Sequence, residues 1–96
     1  MEHSKHQSSA AVRLSETVVA NVRAELARTG MKTADIAPHL GLTARQVHRK
    51  MAGESMFSID ELGIIALAVG LEDKDGNPDP SEFFRVSRAA RLHAVA

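Results

Sequence analysis

From Ser15 onward apolar residues recur at helical spacing, and glycines or polar clusters divide that pattern into five segments. Val18, Val22 and Leu26 repeat every four residues, the interval that keeps side chains on one helix face. Ser15 can cap this segment and Gly30 can supply a left-handed stop, which predicts a first helix from near Ser15 to Thr29. Ile36 and Leu40 mark the buried edge of a second helix starting at Lys32 or Thr33, with the Thr33 hydroxyl as cap and Asp35 in the first turn. Pro38 falls inside that span, where it removes a backbone hydrogen bond and presses on the preceding turn, so a kinked or shortened helix is expected. Gly41 ends the second helix, Leu42 drops into the core, and Thr43 caps a third helix running to about Met51.

The fourth helix opens on "SIDE", Ser58 to Glu61, a capping box in which hydroxyl and carboxylate each satisfy a free helix-start N–H. Ile59, Leu62, Ile65, Ala66 and Val69 give it an apolar inner face, and Gly70 closes it. "DPSE" repeats the device with Asp79 as cap and Pro80 at the first helical position, predicting a fifth helix that carries Phe83, Phe84, Val86, Ala90 and Leu92. Residues 1–12 show no periodicity and read as a tail without regular structure, and "EDKDGNPD" reads as a polar loop. The expectation is an all-α, compact five-helix bundle. Its body spans residues 13–72, with an acidic loop and C-terminal helix at 73–96.

Composition narrows this picture. Ninety-six residues are too few to divide into two pieces that each bury a useful core. Apolar residues make up 44%, but the only aromatics are three Phe, so the core must be built from Ala, Val, Leu, Ile and Met. The absence of cysteine excludes disulfides and thiolate metal sites. No apolar run approaches the ~20 residues that span a bilayer, and the start "MEHSKHQSSA" lacks the apolar centre of a signal peptide, so a cytoplasmic protein is expected.

Net charge is zero, but the charges are segregated along the chain. Arg45, Arg49 and Lys50 fall between Thr43 and Lys50 with no acid among them, whereas Glu72, Asp73, Asp75, Asp79 and Glu82 crowd a later segment holding only Lys74. Segregation permits a local anion-binding face on a neutral protein. At about 100° per residue, Val47 and Met51 lie nearly together on the third helix, which turns Arg45 and Arg49 almost opposite them. His48 and Ala52 flank that ridge on one side and Gln46 on the other, with Thr43 and Ala44 at the N-terminal end. Arginine can fork to guanine O6 and N7, Gln can pair with adenine, small methyl groups can touch thymine, and a helix fits the major groove.

The run "IAPHLGLTARQVHRKMAG", followed by "FSIDELGIIALAVGL", resembles the Cro/repressor (Xre-like) helix-turn-helix family over about Val18 to Leu71. Ala37 matches the small residue where the two motif helices touch, Gly41 the turn glycine, and Val47 the buried residue of the recognition helix. The resemblance implies that residues 13–72 are a DNA-binding domain in which Ala44, Arg45, His48 and Arg49 read bases. By the same resemblance Thr33, Thr43 and Lys50 meet phosphates, with Gln46 at the flank. It further implies a phage-type or prophage-type repressor that occupies a palindromic double-stranded operator as a homodimer, formed in solution or only on DNA. Pro38 and Ala52 depart from the usual pattern.

Other residues allow blander readings. His3 and His6 have a metal-compatible spacing but stand in a stretch without helix signals, and read as incidental. Arg85, Arg88 and Arg91 read as a solvated stripe, with a second DNA contact as the alternative. Phe83 and Phe84 point about 100° apart, so one packs inward and the other is a candidate dimer contact. No nucleophile motif, phosphate loop or ligand spacing supports an enzyme, a cofactor or a small-molecule ligand. Two alternatives to a repressor are an antitoxin that binds a toxin and autoregulates its operon, and a bundle that binds only protein.

Overall fold

The computed structural model describes the backbone of residues 2–86 and the side chains of residues 14–86. Four helices are found among them: α1 (Glu2–Thr29), α2 (Ala37–Leu40), α3 (Ala44–Met51) and α4 (Ile59–Ala68). Two 3-10 turns, Thr33–Ile36 and Pro80–Phe84, complete the architecture. No strand occurs among the described residues; a single antiparallel bridge between Glu72 and Pro78 closes the acidic loop. The chain is all-helical as expected, and the departures from the expected five helices have local causes.

Helix α1 begins at Glu2, well ahead of Ser15. The stretch expected as a tail therefore has helical backbone, and its side chains, His3 and His6 included, lie outside the described residues. Strong helix formers at Ala10 and Ala11 favour this continuation. The inner face is the expected one, with Val18, Val22 and Leu26 all buried.

The second expected helix is split. Lys32 rather than Thr33 precedes its first turn, and the Asp35 carboxylate accepts the Lys32 backbone N–H at 2.7 Å. The 3-10 turn Thr33–Ile36 then passes into α2, in which Pro38 occupies the first turn. There the missing N–H is one that no helical partner would have taken, so Pro38 sits without strain instead of interrupting a longer helix. Gly41 ends α2 at φ 66°, a conformation that costs an L-residue, and the Leu42 N–H donates back to the Ala37 carbonyl at 3.1 Å. That reversal turns Leu42 toward the core before Thr43 starts α3.

Among the described residues the fifth expected helix is only the turn Pro80–Phe84, capped by Asp79, whose carboxylate accepts the Ser81 N–H. Arg85 is already extended. The side-chain amide of Asn21 on α1 donates to the carbonyls of Phe83 at 2.9 Å and Arg85 at 2.7 Å. Captured in this way, the Phe83 carbonyl is not left for the next helical turn. Ala90 and Leu92, assigned to the fifth helix from the sequence, lie outside the described residues, as do Arg88 and Arg91.

One core joins these elements. Val22, Ile36, Val47, Ile65 and Phe83 are its largest fully buried side chains, with Leu26, Ala37, Met51, Leu62, Ala66 and Val69 around them. Helix α3 packs on the first 3-10 turn and on α2, while α1 packs on the second turn. Ile59, assigned to the inner face of α4, is 81% exposed instead. Its angle on the helix borders the core face, but it stands at the rim of an open groove between α1 and residues 52–57, where no described residue covers it.

Two substitutions test this arrangement. Val47→Asp should unfold the domain or cost at least about 3–5 kcal/mol in denaturant unfolding, because it leaves an unpaired charge in the core. Pro38→Ala should leave the unfolding free energy unchanged or lower it by up to about 1 kcal/mol, because proline already fits its backbone and restricts the unfolded chain.

Candidate nucleic-acid interface

Helix α3 has eight residues, of which only Val47 and Met51 are buried. Thr43 and Gln46 fix its first turn reciprocally: the Thr43 hydroxyl accepts the Gln46 N–H at 3.1 Å, and Gln46 Oε1 accepts the Thr43 N–H at 2.8 Å. This capping box, Thr-x-x-Gln, was legible in the sequence but not read there. It gives Gln46 a structural role and leaves its amide nitrogen free of the cap for an external partner.

With that turn fixed, Ala44, Arg45, Gln46, His48, Arg49 and Ala52 are all exposed. Ala44, Arg45, His48 and Arg49 thus share one outward face, as the helical angles require. Among the described residues Arg45, His48 and Arg49 have no side-chain hydrogen bond or ion pair. Long cations left without internal acids keep their donors for an anion or a base edge. Thr33 is half-buried in the 3-10 turn that packs on α3, and Thr43 is exposed at its N-terminal end.

Lys50 has a different environment from the one expected of a phosphate contact. Its ammonium donates to the Met56 carbonyl at 2.8 Å, pairs with Glu61 at 3.2 Å and lies 5.9 Å from the centre of the Phe57 ring. It therefore latches the end of α3 to the start of α4. Burial alone would raise the Glu61 carboxyl, but the Ser58 N–H, the Lys50 ammonium and the Ser58 hydroxyl outweigh it and hold its pKa below the ordinary value. At the other end of α4, Arg28 donates to the Val69 carbonyl at 2.8 Å and pairs with Glu25 on its own helix. The sequence carried no signal for either long-range contact.

Phe83 and Phe84 divide, as successive positions about 120° apart on a 3-10 turn require. Phe83 is wholly buried, and Phe84 is 44% exposed. Phe84 lines an open groove of about 670 Å³ together with Leu14, Val18, Met51, Met56 and Ile59.

A family model described as the BetR domain matches residues 13–75, well over half of the chain. No curated protein and no solved structure matches it. The chain belongs to the BetR-domain family, a small helical, helix-turn-helix-like transcription-regulator domain, and that membership points broadly to a DNA-binding regulatory role. The matched span contains α2, the turn at Gly41, α3 and α4. No described helix is long and apolar enough to cross a membrane.

The Lys50–Glu61 latch predicts a pH dependence. A carboxyl with a depressed folded pKa stabilises the fold fully above its unfolded value and loses that contribution as pH falls through the folded value. Unfolding free energy should therefore fall as pH drops below about 4.3, the ordinary glutamate value. Glu61→Gln should flatten that acid limb by up to about 1 kcal/mol in urea titrations from neutral pH downward. Lys50→Ala should cost about 1 kcal/mol of stability.

Proposed function

We propose that this domain is a sequence-specific transcriptional regulator of the Cro/repressor type. Helix α3 enters the major groove, and bound protein blocks transcription by occupancy, without catalysis or cofactor. The observation that carries this reading is the outward face of α3, where Arg45, His48 and Arg49 stand exposed with no internal acid. Arg45 and Arg49 fork to guanine edges, Ala44 approaches a thymine methyl, and His48 reaches the neighbouring base. The exposed Thr43 hydroxyl and the half-buried Thr33 hydroxyl meet the flanking phosphates, and the amide nitrogen of Gln46 adds a donor beside them.

A single helix contacts too few base pairs to select one site in a genome. The operator is accordingly palindromic and is filled by a homodimer, with half-sites about one helical turn apart. A second reading is an antitoxin that binds a toxin and autoregulates its operon. It is favoured by the apolar groove beside Phe84 and would be shown by co-purification with a toxin.

Selection of bound fragments from a genomic DNA library should return one enriched palindromic sequence. On that sequence Arg45→Ala or Arg49→Ala should weaken binding by about 1–3 kcal/mol and relax preference at one position per half-site. Lys50→Ala should leave the salt slope unchanged, because its ammonium has internal partners, whereas loss of a phosphate contact would flatten it by about one unit. Equal losses on specific and random DNA for both arginine variants would remove the base-reading assignment.

A further inference from the structure

Helix α4 is apolar around most of its circumference. Leu62, Ile65, Ala66 and Val69 belong to the core, yet Ile64 and Leu67 are 38 and 46% exposed on the other side, and Ile59 is 81% exposed at the edge between the two. A helix that is hydrophobic all round is one covered on both sides. Gly63 lies within the exposed stripe. Glycine inside a helix costs stability relative to alanine, and this chain has no internal need of it. A Cβ there would meet nothing nearer than the Pro78 side chain at 3.9 Å, an ordinary contact. Around it Ile59, Ile64, Leu67, Pro78 and Pro80 line a shallow hollow of about 400 Å³ whose sole charged member is Asp60.

We propose that a second copy of this chain docks on this face, with the two α4 helices crossing antiparallel at Gly63 about a two-fold axis. The proposal rests on the operator-binding reading above and names the surface that makes the pair. A two-fold contact requires ridge and hollow on one and the same patch. Ile64 and Leu67 supply the ridge, and Gly63 supplies the hollow that lets the backbones approach. An antiparallel crossing between residues 63 and 64 sets Ile64 beside the partner's Gly63 and Asp60 opposite the partner's Leu67. The two Asp60 carboxylates then stand on opposite sides of the axis, and like charges do not meet.

Area also favours a second copy over a foreign regulator. The seven residues that line the hollow fall well short of the ~800 Å² that each side of a standard complex buries. Such a patch cannot hold an independent partner tightly, but it suffices where a shared duplex presents both copies at high effective concentration. Phe84, the contact suggested by the sequence, lies in the other groove and takes no part.

The test uses the full chain, sedimentation at millimolar concentration without DNA, and binding to full and half operators. The wild type should self-associate or bind the full site cooperatively. Leu67→Glu, at a half-exposed position, should weaken pairing about tenfold or more while melting close to the wild type. The double variant Asp60→Lys with Leu67→Glu should recover pairing, because the crossing brings the new cation against the new carboxylate. Unchanged pairing in Leu67→Glu, or no recovery in the double variant, overturns the proposal. A wild type that never pairs while Leu67→Glu still loses regulation also overturns it, by giving the face to a foreign protein. Absence of specific DNA binding with the sedimentation pattern intact would instead remove the operator reading and leave the interface standing.

Discussion

The docking of Val47 and Met51 is the constraint on which the rest of this domain depends. Helix α3 is eight residues long, too short to persist alone in water, where isolated helices under about 12–15 residues are marginal. Those two buried side chains hold it against the body. Because the helical period is fixed, burying them also sets its rotation and faces Arg45, His48 and Arg49 outward. Stability and the composition of the exposed face are thus consequences of one packing event.

Around that event, polar groups are spent on helix ends and not in the core, which among the described residues holds no buried polar or charged side chain. Thr43 with Gln46 and Ser58 with Glu61 close the starts of α3 and α4. Lys50 then joins the end of one helix to the start of the next, and Arg28 and Asn21 tie α4 and the Pro80–Phe84 turn to α1. This economy explains how a chain of zero net charge exposes a cationic helix face. Of the three bases on α3, the one nearest the core is neutralised by Glu61, and the two farthest from it have no acid within reach. Five of the twelve acids lie in the 72–82 segment, where Asp73 accepts the Asp75 and Asn77 N–H groups to shape the loop.

Much of this was legible in the sequence because it is local. Helical period gave Val18, Val22 and Leu26 as the inner face of α1, and Val47 and Met51 as that of α3. Capping chemistry gave Thr43 and Ser58, and glycine gave the ends at Gly30, Gly41 and Gly70, all of which have positive φ. Each of those features is decided within four or five residues, so no distant partner can change it. The expected outward positions of Ala44, Arg45, His48 and Arg49 follow from the same periodicity.

What the tertiary structure alone decided are the places where a distant group competes for a local one. Asn21 takes carbonyls needed to extend a fifth helix, and Met56 and Glu61 engage the Lys50 ammonium. Ile59 lies at the edge of the core-facing side of α4, yet among the described residues none packs over it, and it is left in solvent. Periodicity specifies which side chains share a face; whether another element arrives to cover that face is a long-range fact, because burial is a property of pairs of surfaces and the sequence pattern describes only one of them.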